Sequence, residues 1–288
     1  MNRIQIKIEK DFNLDHIFDC GQCFRWEKEE DGSYTGVASG KVARMAYEDG
    51  VLTIEGPGAG AGDGGAGGAG ACDGACAGDE EFWRDYLDLD RDYGQIKKSL
   101  KGVGDAIEYG YGIRILNQDP WETLISFIIS QNNNIPRIKG CIEKLCRLYG
   151  EPLGTFRGKE YFGFPGPEDL AEADLSEVKL GYRAGYITDT ARRVCEQGMP
   201  EAGELLDCKG VGPKVANCIL LFGYRKYDSF PIDVWMKKIM NQLYGFDEED
   251  RKGMEKFARE NFGQNSGFAQ QYLFYYVRGL AIDKYAGA

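Results

Sequence analysis

One stretch constrains this chain more than any other: Leu205 to Met240, LLDCKGVGPKVANCILLFGYRKYDSFPIDVWMKKIM. Its pattern predicts two helices joined by a Gly210-Val211-Gly212 turn, an extended piece through Phe230-Pro231-Ile232, and a further helix opened by Asp233. The glycines let the backbone turn sharply and approach an anion, and Pro213 suits the first position of the next helix. Unpaired amides and the helix dipole both favour negative charge at such a turn, so it is a ready seat for phosphate. Lys214 and Cys218 are four apart and share a helix face. Asp233 follows Lys214 by nineteen residues.

A chain of 288 residues can form one large domain or two modest ones. It has no apolar run long enough for a membrane span and no signal peptide pattern at the N-terminus, so a soluble, cytoplasmic protein is expected. The net charge of −11 argues against a generic nucleic-acid coat protein. Local charge differs, since between Leu205 and Met240 six cations (Lys209, Lys214, Arg225, Lys226, Lys237, Lys238) face three carboxylates (Asp207, Asp228, Asp233), a balance of +3. The nine cysteines are scattered, which fits a reducing compartment better than a disulfide framework. Cys20-x2-Cys23 is the only metal-like pair; it lacks a well-spaced second pair, and His16 is the only histidine, so no metal site is expected.

Taken in order, the chain changes character once. Ile4, Ile6 and Ile8 alternate with polar residues, and short strands follow at Tyr34 to Ala38, Val42 to Tyr47 and Val51 to Glu55, with Asp31-Gly32 and Asp49-Gly50 as hairpin turns. Gly56 to Gly78 is almost only Gly, Ala and Asp, a composition that cannot bury enough apolar surface to offset ordering entropy, so a mobile linker is expected there. From Phe82 the pattern is helical. Asp119 as cap and Pro120 at the first position open an apolar, central helix that ends in Gln131-Asn132-Asn133-Asn134-Ile135-Pro136-Arg137. The expected fold class is α+β, an antiparallel sheet domain over 1–105 followed by a helical domain over 106–288.

The hairpin, the lysine just past it and the spaced aspartate together resemble the helix-hairpin-helix motif of the base-excision DNA glycosylases. Gly21-Gln22-Cys23-Phe24-Arg25-Trp26 is similar to a run in the N-terminal domain of the 8-oxoguanine DNA glycosylases, whose sheet resembles half of a TATA-binding protein. The asparagine loop before Arg137, the Leu180-Gly181-Tyr182-Arg183 run and Gly267 to Phe274 match further motifs of that family, in family order. The likeness covers nearly the whole chain apart from Gly56 to Gly78.

The resemblance implies a bifunctional enzyme of monomeric form that acts on double-stranded DNA, associated with the nucleoid, with no cofactor required. Lys214 would be the nucleophile and Asp233 would stabilise positive charge on the sugar. Only the neutral amine attacks, and both a helix N-terminus and a dry pocket disfavour the ammonium. The carbonyl of Gly21 would accept from N7–H of the oxidised guanine, a contact worth about 1–3 kcal/mol, with Phe274 and Cys218 against the two faces of the base and Gln270 on its Watson–Crick edge. Asn132 and Tyr182 would fill the gap left by the flipped nucleotide, Arg137 and Arg183 would read the orphaned cytosine, and Gly210 and Gly212 would seat the backbone. A monovalent or divalent cation on the hairpin carbonyls is compatible with the family. No cysteine follows Cys218, which removes the C-terminal iron–sulfur cluster of the endonuclease III branch. Two other readings stay open: a non-catalytic hairpin module that only binds DNA, and a monofunctional glycosylase of the alkyladenine type, against which Lys214 speaks.

Overall fold

The computed structural model describes residues 2–57 and 80–286. The Gly/Ala/Asp tract beyond Pro57, with Cys72 and Cys76, lies outside the described residues.

The chain begins with β1 (Asn2–Lys7) and α1 (Leu14–Phe18), then β2 (Trp26–Lys28), β3 (Tyr34–Ala38), β4 (Lys41–Glu48) and β5 (Val51–Gly56). These strands form one antiparallel sheet in the order β1-β5-β4-β3-β2, with Ile4 opposite Ile54 and Ile6 opposite Leu52. The alternation read along Ile4, Ile6 and Ile8 is the alternation that puts Ile6 and Ile8 in the core. Asp49 and Gly50 both take positive φ (49° and 76°), and so do Ser39 and Gly40 (47° and 75°). Two-residue turns of this kind match the right-handed twist of the flanking strands. Trp26, Tyr34, Met45 and Ile54 pack against Trp83 and Tyr86 from α2 (Glu80–Tyr86) and against Leu87 just beyond it, and the Trp26 indole donates to the Tyr86 hydroxyl at 2.8 Å.

Helices follow: α3 (Tyr93–Ser99), α4 (Gly104–Tyr109), α5 (Pro120–Ser130) and α6 (Ile135–Tyr149). Asp119 caps α5 by accepting from the Glu122 amide at 2.8 Å, and every residue from Thr123 to Ile129 is buried, so α5 is the central helix expected of it. Around it lie α7 (Pro167–Ala171), α8 (Arg183–Gln197), α9 (Pro213–Phe222), α10 (Val234–Tyr244), α11 (Arg251–Phe262) and α12 (Ser266–Ala286). Between α6 and α7 stands a small hairpin that the sequence reading did not foresee, β6 (Pro152–Phe156) and β7 (Lys159–Phe162). Its turn is Arg157-Gly158, both at positive φ, and its Phe156 covers Val37 and Val42 of the sheet.

The sheet core and the helical core interlock. Cys20 and Phe24 come from the sheet end of the chain yet pack in the helical core, while Leu116 packs with the sheet. Arg25 crosses the same boundary. Its side chain, 6% exposed, lies 3.4 Å from the Glu122 carboxylate and donates to the carbonyl of Phe162. Burial raises the Glu122 carboxyl above the usual carboxylate range, and the Arg25 charge opposes that shift.

Replacing Arg25 with Met leaves Glu122 buried without its counter-charge, and loss of one partner of such a pair costs about 3–5 kcal/mol. Urea denaturation of Arg25→Met is expected to show a destabilisation of about that size.

Candidate active site

The hairpin differs from expectation in its first arm, which is a short 3₁₀ turn (Ala202–Asp207) and not an α-helix. Gly210 sits at φ +83°, and a Cβ there would stand 2.2 Å from the Tyr186 ring. Only glycine satisfies both the backbone angle and the packing. Gly212 is the N-cap of α9 and supplies no capping side chain, with Pro213 at the first position. The first amides of α9 therefore have neither an intrahelical nor a side-chain acceptor there, which suits an anion. Around this turn the cations are less free than the local balance suggests: Lys209 pairs with Asp189 (2.6 Å), Arg225 with Asp85 (2.7 Å) and Lys237 with Glu249 (3.0 Å).

Lys214 lies in the first turn of α9, half-buried, and its Nζ is 5.5 Å from the centre of the Phe127 ring on α5. Cys218 follows one turn on and is buried. Burial pushes its thiol above the usual range, and the Lys214 charge opposes this. The extended link through Ile232 delivers Asp233 as the N-cap of α10, where it accepts from the Met236 amide at 2.8 Å. Its carboxyl is raised above the ordinary aspartate value by burial, against the pull of that amide and of Lys214. Lys214, Cys218, Asp233, Gly21, Gln270 and Phe274 line one cavity, completed by Phe127, Phe222, Pro231 and Gln271. Every residue named for the base pocket is therefore brought together. Larger concavities, one among Glu80 to Asp90 and one beside Asn217 and Arg259, show no such convergence of a nucleophile, a carboxylate and aromatic rings.

Gly21 reaches this cavity from the other end of the chain. It takes φ +78°, and a Cβ on it would stand 3.2 Å from the Phe274 ring. Its neighbours fix it. Cys20 Sγ donates to the Ile17 carbonyl at 3.2 Å and accepts from Gln271 at 3.4 Å. Gln22, 1% exposed, donates to the carbonyls of Ile17 (2.9 Å) and Arg114 (2.8 Å), and its side-chain oxygen accepts from the Leu116 amide (2.9 Å). Its backbone carbonyl accepts from Gln118 at 2.8 Å. Gln22 belongs to the Gly21-to-Trp26 run noted in the sequence, but no role was assigned to it there. On the far wall Gln270 is buried, and its Oε1 has no hydrogen-bond partner within the protein.

The residues named for the vacated stack lie apart from the cavity. Asn132 is exposed at φ +46°, and Asn134 caps α6 by accepting from the Arg137 amide at 3.0 Å, leaving the Arg137 side chain exposed on the first turn of that helix. Tyr182 is 54% exposed. Arg183 departs from expectation. It is buried, and its guanidinium donates to the carbonyls of Gln131, Asn132 and Leu180, so here it props the asparagine loop from beneath and presents no free edge to a base.

Comparison with known proteins bears on the whole chain. Residues 3–124 match the family model described as 8-oxoguanine DNA glycosylase, N-terminal domain, and residues 125–264 match that of the HhH-GPD superfamily base excision DNA repair protein. A curated relative, the probable N-glycosylase/DNA lyase of Methanothermobacter thermautotrophicus, is 36% identical over 62% of this chain and 67% of its own length. The chain belongs to the 8-oxoguanine DNA glycosylase family. A solved structure of that family, the Clostridium acetobutylicum 8-oxoguanine glycosylase/lyase with double-stranded DNA containing cytosine opposite 8-oxoguanine, superposes with a TM-score of 0.85 at 38% identity, covering 98% of this chain and 99% of the other. The structure of MBOgg1 in complex with a low-affinity DNA ligand gives 0.86 at 42% identity, over 98% and 97%. The chain spans about half the length of two further curated relatives it matches. Among the described residues no group of three or more His, Cys, Asp or Glu could hold a metal ion, and no helix is long and apolar enough to cross a membrane.

Two outcomes follow for this family member. Gly210→Ala forces a side chain into a positive φ and against Tyr186, and weakened duplex affinity with a lowered melting temperature is expected in fluorescence anisotropy and thermal unfolding. Asp233→Asn keeps the helix cap and removes a charge that burial disfavours. Because the folded carboxyl titrates above its unfolded value, stability is lost as pH rises through that window, so at neutral pH the variant is expected to melt higher than the parent. Activity runs the other way: if the carboxylate form is needed, the acidic limb of the rate profile falls above the ordinary aspartate range and disappears in the variant.

Proposed function

We propose that the protein is a bifunctional glycosylase of base-excision repair that extrudes 8-oxoguanine from duplex DNA, excises it and then nicks the strand. The observation that carries this reading is the meeting of Lys214 and Asp233 in one cavity with Gly21, Cys218, Gln270 and Phe274. A glycosidic carbon is inaccessible inside a duplex, and extruding the nucleotide costs a few kcal/mol of unstacking and unpairing. On this reading residues 106–288 supply the hairpin and the nucleophile, and residues 1–105 supply the wall that carries Gly21.

The neutral Lys214 amine forms a bond to C1′ as the bond to the base breaks, and the departing base takes up a proton. Asp233 stabilises the positive charge that builds on the sugar. Opening of the sugar ring leaves an imine between Lys214 and C1′; loss of a C2′ proton then expels the 3′ phosphate, and water releases the lysine. Selection of the lesion is assigned to the Gly21 carbonyl, an acceptor that pairs with N7–H of the oxidised base and repels the lone pair at N7 of guanine. Gln270, with a buried oxygen lacking a partner, suits the Watson–Crick edge, and Phe274 and Cys218 suit the two base faces. Arg137 is the arginine free to read an orphaned cytosine, with Asn132 and Tyr182 at the gap; Arg183 would first have to release the loop carbonyls. Backbone phosphate is assigned to the amides after Gly210 and Gly212. A cation on the hairpin carbonyls is compatible with this scheme and no step uses one. We read the enzyme as a monomer working at the nucleoid.

Borohydride trapping tests the scheme directly. On a duplex with one 8-oxoguanine opposite cytosine, the wild-type protein is expected to form a covalent adduct that is missing with undamaged duplex and with Lys214→Gln. An adduct-free wild type that still binds the lesion would replace this scheme with a monofunctional or purely binding role.

A further inference from the structure

The helix α12 carries Gln270, Phe274 and Arg278 at four-residue steps, one stripe facing the cavity and the loop of Gly21. The first two have roles in the scheme above; Arg278 has none. Its Nη2 donates to Asp19 Oδ1 at 2.9 Å, and Asp19 is the C-cap residue of α1, two positions before Gly21. The Arg278 side chain is 16% exposed and that of Asp19 58%. The second nitrogen, Nη1, is buried with no hydrogen-bond partner in the protein and lies 3.7 Å from where a Cβ on Gly21 would stand. The guanidinium thus backs the glycine from the α12 side, one turn from the Phe274 ring that touches the same glycine at 3.2 Å from that point.

We propose that Arg278 is a positioning residue for lesion recognition, holding through Asp19 the loop of Gly21 against Phe274. The inference rests on the function proposed above and adds the element that fixes the distance between the acceptor wall and the stacking wall. On its other flank the loop is anchored by Gln22 to residues 114–118, an anchor buried so deeply that breaking it disturbs the fold. The Asp19 pair is different in kind. An ion pair with one exposed partner contributes little to stability, so its loss leaves the fold intact and frees only one flank of the loop. A cavity wall that drifts matters to chemistry out of proportion to its energy, since a misplacement of about 1 Å costs up to about a hundredfold in rate.

The experiment compares two substrates that differ only in whether a base must be recognised: a duplex with 8-oxoguanine opposite cytosine, and the same duplex with an abasic site at that position. Single-turnover rates are measured for the wild type, Arg278→Met, Arg278→Lys, Asp19→Asn and the double variant Asp19→Asn/Arg278→Met. Both Arg278→Met and Asp19→Asn are expected to slow excision of 8-oxoguanine roughly tenfold and to leave abasic-site cleavage within about twofold of wild type, with the double variant no slower than either single one. Arg278→Lys, which keeps a donor and the charge, is expected to recover part of the loss. Equal slowing on both substrates would overturn the proposal in favour of a general structural or DNA-backbone role, and unchanged excision by Arg278→Met would overturn it outright. A wild type that cleaves neither substrate would instead overturn the function on which it rests.

Discussion

The hydrogen bond from the Met236 amide to Asp233 is the interaction on which the rest of this site depends. A carboxylate in a cavity walled by Phe127, Phe222 and Phe274 is disfavoured, and burial does raise the Asp233 carboxyl. The amide at the start of α10 and the charge of Lys214 act in the opposite direction. One backbone group therefore both starts a helix and works against burial in favour of the carboxylate beside an amine. The extended link through Ile232 is what brings that helix start to α9, and the glycine turn before α9 is what places Lys214 at its first turn.

The parts of this arrangement that the sequence made legible are those written in local chemistry. Gly210, Gly212 and Pro213 announce the turn, and the helix cap at Asp119 follows from the Asp-Pro pair before an apolar run. The strands follow from alternation and from Asp49-Gly50. What stayed hidden depends on distant partners. Gln22 meets Arg114 and Leu116, more than ninety positions away, and the local run that contains it does not forecast those partners. The β6–β7 hairpin was missed because its strands are short, its turn is Arg-Gly rather than Asn-Gly, and its Phe156 finds cover on Val37 and Val42, more than a hundred positions away. Arg183 was assigned to the orphaned cytosine because the Leu180-Gly181-Tyr182-Arg183 run matches a family motif, and that likeness does not say which way the side chain turns. The first turn of a helix sends consecutive side chains about 100° apart, so an exposed Tyr182 gives no reason to expect an exposed Arg183.

An acidic protein that handles DNA needs its cations placed rather than numerous. Lys209, Arg225 and Lys237 sit in pairs with Asp189, Asp85 and Glu249, most of them well exposed. Such pairs are weak in water and exchange partners readily, so a phosphate can take the place of a carboxylate at small cost. Backbone amides need no exchange. The turn at Gly210 to Gly212 leaves the first amides of α9 without a capping side chain, so their pull on an anion does not depend on net charge.

The cavity has walls from residue 21, residue 127, residues 214–233 and residues 270–274. The hairpin helix α9 and α12 share one core, so Lys214 and the wall of Gln270 and Phe274 are placed by the same packing. The wall carrying Gln270 and Phe274 comes from α12, which meets the loop of Gly21 from a position far along the chain. The pocket around Lys214 is therefore closed only when segments far apart in the chain have met.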